Sequence, residues 1–269
     1  MSHRVIILGN SAIVESFALG LRAAGATLTS IVSLPPREQP LNSVNIAEIA
    51  ERSGVQHHEI SGYVHESEMA HQLLDEAPDY ILSAWSKVIK ETVLAVPKYF
   101  TIGTHPTRLP YGRGRHPLHW LIAMGIEETC LSFFRMTEKI DDGPILWRYP
   151  FELPFGTTIL QANQECEHAA QFGTKVLFRK LEREPNLPGE AQIGYFRART
   201  ELVDCTILPT MTKLQIIRLV NSYSEPYPCC ILMTDDQIEL RISEATVEQV
   251  FGSFPFTCAD GVVFLRPKV

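Results

Sequence analysis

The chain has no apolar run approaching the roughly 20 residues that cross a bilayer as a helix. It also has no Cys-x-x-Cys spacing among its six cysteines (130, 166, 205, 229, 230 and 258), no long polar tract, and no surplus of basic residues. Each absence removes a class of protein. Without an apolar span there is no membrane helix to place, and the start at Met1 runs directly into a strand-like stretch rather than a signal peptide, so the expectation is a cytoplasmic protein with no membrane partner. Scattered cysteines in a reducing compartment read as small buried apolar residues, not as bridges or zinc ligands. A net charge of −7 leaves nothing on the molecule as a whole to attract nucleic acid, although a local basic site stays open. With 45% hydrophobic and 20% charged residues the composition is that of a globular chain.

One dinucleotide signal is also missing. Residues 5–8 form a short apolar run ending in Gly9-Asn10-Ser11, after which Ile13, Val14, Phe17, Ala18, Leu21 and Ala24 recur at helical spacing. A glycine at a first strand-to-helix turn often cradles phosphate, but the full Gly-x-Gly-x-x-Gly fingerprint is absent, which disfavours a nicotinamide cofactor.

Alternation continues along the chain. Strands are predicted at 28–34, 55–60, 80–84, 99–103, 130–136 and 145–149, with helices at 44–53, 67–76, 116–124 and 157–181 between them. Strands alternating with helices argue for an α/β fold: a Rossmann-like, mostly parallel twisted sheet with helices on both faces. After a Pro-rich linker at 182–189 the pattern changes to one helix, 211–222, and short strands at 229–232, 238–245 and 262–265. The expected division is a catalytic domain over 1–185 and a small, mainly β subdomain over 190–269.

The densest stretch is 101–120, where three prolines, three glycines, three arginines and three histidines follow an apolar run. Pro106, Pro110 and Pro117 fix φ and hold their neighbours extended, so this loop is built to keep a shape. It leaves a strand's carboxyl end, the edge where open α/β sheets bind ligands. A rigid connector with solvated arginines is the plain alternative. His116 and His119 stand three apart, as two metal ligands on a helix would, but no acidic or cysteine partner follows at zinc spacing, so no metal is expected. The Asp141-Asp142-Gly143 turn, combined with a histidine on a strand edge, offers the carboxylate of a His/Asp pair.

The run His105-Pro-Thr-Arg-Leu-Pro-Tyr-Gly-Arg-Gly-Arg-His-Pro-Leu-His-Trp120, with Gly125, Glu128-Thr129, Met136 and Asp141-Asp142-Gly143-Pro-Ile, resembles the core signature of the folate-dependent formyltransferases over roughly residues 79–147. Weaker similarity reaches the Gly9-Asn10-Ser11 start, Tyr195-Phe-Arg-Ala-Arg, Ile216-Ile-Arg and Pro226-Tyr-Pro. The resemblance implies formyl transfer from 10-formyltetrahydrofolate to a primary amine, with His105 and Asp141 on the family's catalytic positions. The family's asparagine, two residues before the histidine, is here Gly103. That departure leaves the oxyanion without its usual donor and points to Thr107, His105 itself, or a water in the gap at Gly103 as replacements. The family's folate site falls on Ser83, Ala84, Trp85, Ser86 and Val88, with Glu138 and Ile140.

Within the family the loop is similar to enzymes acting on nucleotide-linked amino sugars, most of all those of pseudaminic-acid-type pathways of surface polysaccharide biosynthesis, whose acceptor is a UDP-linked diamino sugar. Arg113, Arg115, Arg197 and Arg199 are then the expected diphosphate contacts. A homodimer is compatible with this reading. A methionyl-tRNA formyltransferase-like enzyme, a formyltetrahydrofolate hydrolase and a non-catalytic folate or nucleotide-sugar binder are the alternatives; formate release without amine marks the hydrolase, and retained transfer excludes the binder.

Overall fold

The structure is a computed structural model that describes residues 2–61, 66–194, 197–201, 203–234 and 236–268. Its elements in chain order are β1 (Arg4–Gly9), α1 (Ile13–Ala24), β2 (Thr27–Ser33), α2 (Ile46–Ser53), β3 (Gln56–Glu59), α3 (Glu66–Leu74), β4 (Tyr80–Ala84), α4 (Glu91–Leu94), β5 (Phe100–His105), α5 (Pro117–Met124), β6 (Glu128–Arg135), β7 (Ile145–Glu152), α6 (Ile159–Arg183), α7 (Lys213–Ser222), β8 (Cys230–Met233), β9 (Glu239–Thr246), β10 (Phe254–Cys258) and β11 (Gly261–Pro267).

The first seven strands form one sheet in the order β3-β2-β1-β4-β5-β6-β7. The pairs from β3 through β5 are parallel, and β6 runs antiparallel to β5. Val5 to Leu8, Ile31, Val32 and Tyr80 to Leu82 are fully buried, as continuous apolar runs must be when both faces of a parallel sheet are covered. This is the expected Rossmann-like α/β sheet. Chain order steps from β1 outward to β2 and β3, then returns to the other side of β1 for β4 and β5. The reversal opens a crevice at the carboxyl ends of β1 and β4, and ligands of such sheets bind there. Strand register sets Ser83 beside Gly103, and His105 beside Ser132.

The described chain separates into two compact units. One comprises 1–114, 130–151 and 166–199; the other comprises 115–129, 152–165 and 200–269. In the first, Tyr80 ties the sheet to the linker after α6 by donating from its hydroxyl to the Pro185 carbonyl at 2.7 Å, with its ring edge-on to Phe178. In the second, a four-stranded antiparallel sheet of order β10-β11-β9-β8 packs its buried side chains against α7, including Ile216, Val220, Ile242, Val263 and Leu265. Helix α7 starts on a capping box in which Thr212 accepts from the Gln215 backbone and Gln215 returns the bond.

Candidate active site

The first unit gathers its polar chemistry at the end of β5. His105 closes that strand and is only 5% exposed. Its Nε2 lies 2.8 Å from the carbonyl oxygen of Gly112, and since a carbonyl only accepts, Nε2 carries the hydrogen and donates it. Nδ1 is left facing Oδ2 of Asp141 at 3.5 Å. A neutral ring in this setting bears its lone pair at Nδ1; a second proton there gives an imidazolium paired with the carboxylate.

The loop after His105 is held from inside. Thr107 donates from Oγ1 to the Tyr111 carbonyl at 2.7 Å, and Ser132 on β6 donates to the Thr107 carbonyl at 2.6 Å. The Leu109 N–H is 2.8 Å from that same Thr107 carbonyl. Thr107 is 3% exposed and its single hydroxyl hydrogen is spent on this turn. The expectation that Thr107 offers a donor to a reacting carbonyl is therefore corrected: its hydrogen shapes the loop.

Gly103 requires a second correction. A Cβ at this position would stand 2.6 Å from Cζ of Phe134 and 2.8 Å from Cγ of Met136. The space that the family's asparagine side chain would occupy is filled by the Phe134 ring from the neighbouring strand, so no gap for a water exists there.

Asp141 sits on the turn between β6 and β7 with φ of 50°, a left-handed conformation that aspartate tolerates better than most residues. Its Oδ2 accepts from the Gly114 N–H at 2.9 Å, so the same oxygen that faces His105 is also held by the loop. Gln192, beyond the Pro-rich linker, donates from Nε2 to the carbonyls of Asp141 (2.9 Å) and Gly143 (2.7 Å). Its Oε1 accepts from Nε and Nη2 of Arg113 at 3.1 and 2.6 Å, and Nη1 of Arg113 pairs with Asp142. The two adjacent carboxylates thus do different work: Asp141 turns to the imidazole, Asp142 to the guanidinium. Gly114 (φ +103°) makes the remaining tie, a bridge to Arg199 so close that an added Cβ would lie 2.1 Å from the Arg199 carbonyl oxygen.

The structure brings together His105, Asp141, Gly103 and Thr107, but it distributes the four arginines. Arg113 is 6% exposed and engaged internally. Arg199 joins through its backbone, donating to the Arg113 carbonyl at 2.9 Å, whereas Arg115 and Arg197 are exposed. Of the expected folate residues, Ser83 is buried and accepts from the Trp85 N–H, Trp85 packs on the apolar cluster around Ile6 and Ile81, and Ser86, Val88, Glu138 and Ile140 face solvent. Tyr195 and Phe196 lie outside the described residues. A further cleft in this unit is lined by Arg37, Glu38, Gln39 and Lys87, after the carboxyl ends of β2 and β4. Sequence reasoning missed Gln192, Ser132 and the Gly112 carbonyl. Gln192 and Ser132 lie outside the quoted motifs, and although Gly112 lies within one, a backbone acceptor leaves no trace in residue type.

In the second unit His119 is 3% exposed, edge-on to Tyr227 at 4.4 Å, and its Nε2 has no partner. Burial, reinforced by neighbouring His116, pushes its pKa down to about 4. Among the described residues no group of three or more histidine, cysteine or acidic side chains is placed to hold a metal, and no helix is long and apolar enough to cross a membrane.

Comparison with known proteins bears on the family and the fold. A methionyl-tRNA formyltransferase of Ehrlichia canis is 29% identical over 140 residues, 52% of this chain and 45% of that protein. One of Protochlamydia amoebophila is 25% identical over 190 residues, 69% of this chain and 59% of the relative. The chain thus spans about half the length of the curated relatives it matches. A sugar N-formyltransferase from a Shewanella species superposes with a TM-score of 0.66 at 16% identity, covering 92% of this chain and 99% of that one, which shows a shared fold. Residues 3–174, carrying the whole of β1 to β7 and the His105–Asp141 pair, match the formyl transferase family, and the chain belongs to that family.

Proposed function

We propose that the protein transfers the formyl group of 10-formyltetrahydrofolate to the primary amine of a nucleotide-linked amino sugar. The observation that carries the reaction is the buried His105 facing the half-buried Asp141 carboxylate at the carboxyl edge of β5 in a chain of this family. The amine nitrogen attacks the formyl carbon, the carbonyl electrons move onto oxygen, and their return expels N10 of the folate. The attacking nitrogen must lose a proton and N10 must gain one. Neutral His105 takes the proton at Nδ1, because Nε2 already holds a hydrogen for Gly112. Asp141 balances the imidazolium until that proton leaves again. The exposed residues Ser86 and Val88, before His105 in sequence, and Glu138 and Ile140, just before Asp141, are the ones that meet the folate.

Three observations support an amino-sugar acceptor. The Shewanella sugar N-formyltransferase shares the fold over 92% of this chain, the net charge is −7, and Arg115 in the second unit and Arg197 in the first are each an exposed cation of the kind that meets phosphate. Arg113 has no such role, being buried against Gln192 and Asp142. A tRNA acceptor is the second reading, favoured by the curated relatives. The test is a panel of UDP-, dTDP- and GDP-linked amino sugars and methionyl-tRNA, each with 10-formyltetrahydrofolate, plus a sample with no amine. A formylated nucleotide sugar is the expected product. Formylation of methionyl-tRNA alone overturns the sugar reading, formate without any amine marks a hydrolase, and an intact folate in every sample overturns the reaction itself.

A further inference from the structure

We propose that Gln192 is a positioning residue that sets the Asp141 carboxylate against His105, coupling it through Arg113 to the loop that carries Gly112 and Gly114. The inference rests on the formyl-transfer reading for its kinetic part only.

Asp141 needs holding in place. Its backbone is left-handed, a conformation that aspartate tolerates better than most residues but that still costs more than the usual ones unless contacts hold it. The local turn does not do this alone. Its carbonyls at Asp141 and Gly143 both point to one amide, Nε2 of Gln192, and a primary amide has two hydrogens to give. The oxygen of the same amide takes two N–H groups of Arg113. Every polar valence of Gln192 is thereby used in one orientation, so its side chain acts as a rigid spacer of fixed polarity.

Arg113 carries the tie onward. This guanidinium is buried, and its remaining edge closes on Asp142, next to the carboxylate that faces His105. Arg113 is also the residue before Gly114, whose N–H holds Asp141 Oδ2, and the residue after Gly112, whose carbonyl holds His105 Nε2. One glutamine therefore fixes the acid's main chain directly and, by way of one arginine, the backbone groups that hold both members of the pair. A carboxylate or a hydrocarbon at 192 cannot satisfy both ends: the first loses the donors, the second loses everything.

The experiment compares Gln192→Ala, Gln192→Glu and Asp141→Asn, alone and combined, in the full chain. Gln192→Glu keeps an acceptor for Arg113 and sets a carboxylate against two carbonyls, so the fold is retained while the turn is released. In both Gln192 variants kcat is expected to fall about 10²-fold, the usual cost of an ångström of misplacement, with KM for the folate and the amine little changed. In the Asp141→Asn background Gln192→Ala should cost far less than its full effect in the wild type, since the carboxylate is gone and only the hold on the Gly112 carbonyl is left to lose. Multiplicative losses in that double variant, or wild-type kcat in Gln192→Glu, overturn the proposal. Hydrogen exchange supplies a readout independent of activity: the Gly114 amide should exchange faster in both Gln192 variants, and an unchanged rate overturns the coupling. If the wild type shows no formyl chemistry with any acceptor, the reaction assignment fails while the exchange result still decides whether Gln192 holds Asp141.

Discussion

His105 and Asp141 can each be tested by a single substitution. A general base held by an acid contributes about 10² to 10⁴ to rate, so His105→Ala and Asp141→Asn should each lower turnover within that range and leave the thermal midpoint near wild type. Turnover close to wild type in His105→Ala would remove the base. Gly103 carries an opposite kind of prediction. Any side chain there must displace Phe134, a buried ring on the adjacent strand, and overpacking of that kind costs typically 1–3 kcal/mol. Gly103→Asn should therefore destabilise the chain and gain no activity, as urea unfolding and kcat will show. His119 gives the pH dependence. Its folded pKa of about 4 lies below the ordinary 6.5, so the folded state binds fewer protons than the unfolded one as pH falls. The stability that neutral His119 confers is complete above about pH 6.5 and is withdrawn progressively down to about pH 4, amounting to no more than about 3 kcal/mol. His119→Phe should flatten that acid limb in a series of urea midpoints taken from pH 7 to 4.

Among the strands and helices the sheet was readable and the site only partly so. Strands β1 and β4 announced themselves through the runs Val-Ile-Ile-Leu and Tyr-Ile-Leu, as strands covered on both faces do, and α1 because its buried side chains keep helical spacing. Strand β10 was not expected. Its Phe-Pro-Phe-Thr-Cys carries a proline that argues against a strand, and the structure places it at the edge of its sheet, where a missing N–H costs no ladder bond. The His105 loop and the Asp141 turn were legible from their residue types. The filling of Gly103 was not, because the ring that fills it comes from a strand 31 positions later, and pairing register is absent from a linear pattern. Arg113 and Arg115 look equivalent in sequence and differ entirely in setting. Arg115→Ala, at an exposed position, should raise KM for a nucleotide sugar more than for folate. Arg113→Ala removes a buried guanidinium and leaves the half-buried Asp142 carboxylate and Gln192 amide without it, and should lower stability by about 1–3 kcal/mol. Steady-state kinetics beside thermal unfolding separates the two.

For the molecule as a whole the excess of acidic residues becomes a statement about salt. A protein that neutralises many phosphates loses affinity by orders of magnitude between low and physiological ionic strength, whereas a small anionic acceptor held by one or two cations is weakly affected. With a nucleotide sugar, kcat/KM should change by less than about threefold over that range. A steep fall would indicate an extended nucleic-acid contact despite the net charge of −7.

The ties that run through Gln192 and Arg199 also set a schedule. The parallel strands, His105 and Asp141 are all made before residues 190–199, yet Glu190 bridges to Ile145, Gln192 holds the Asp141 turn, and Arg199 closes on Gly114. A nascent chain ending near residue 185 contains the sheet and both members of the pair without the strap that sets them. The ties that set the pair are therefore closed only once a short stretch outside the named strands and helices has been made, after every strand of the large sheet.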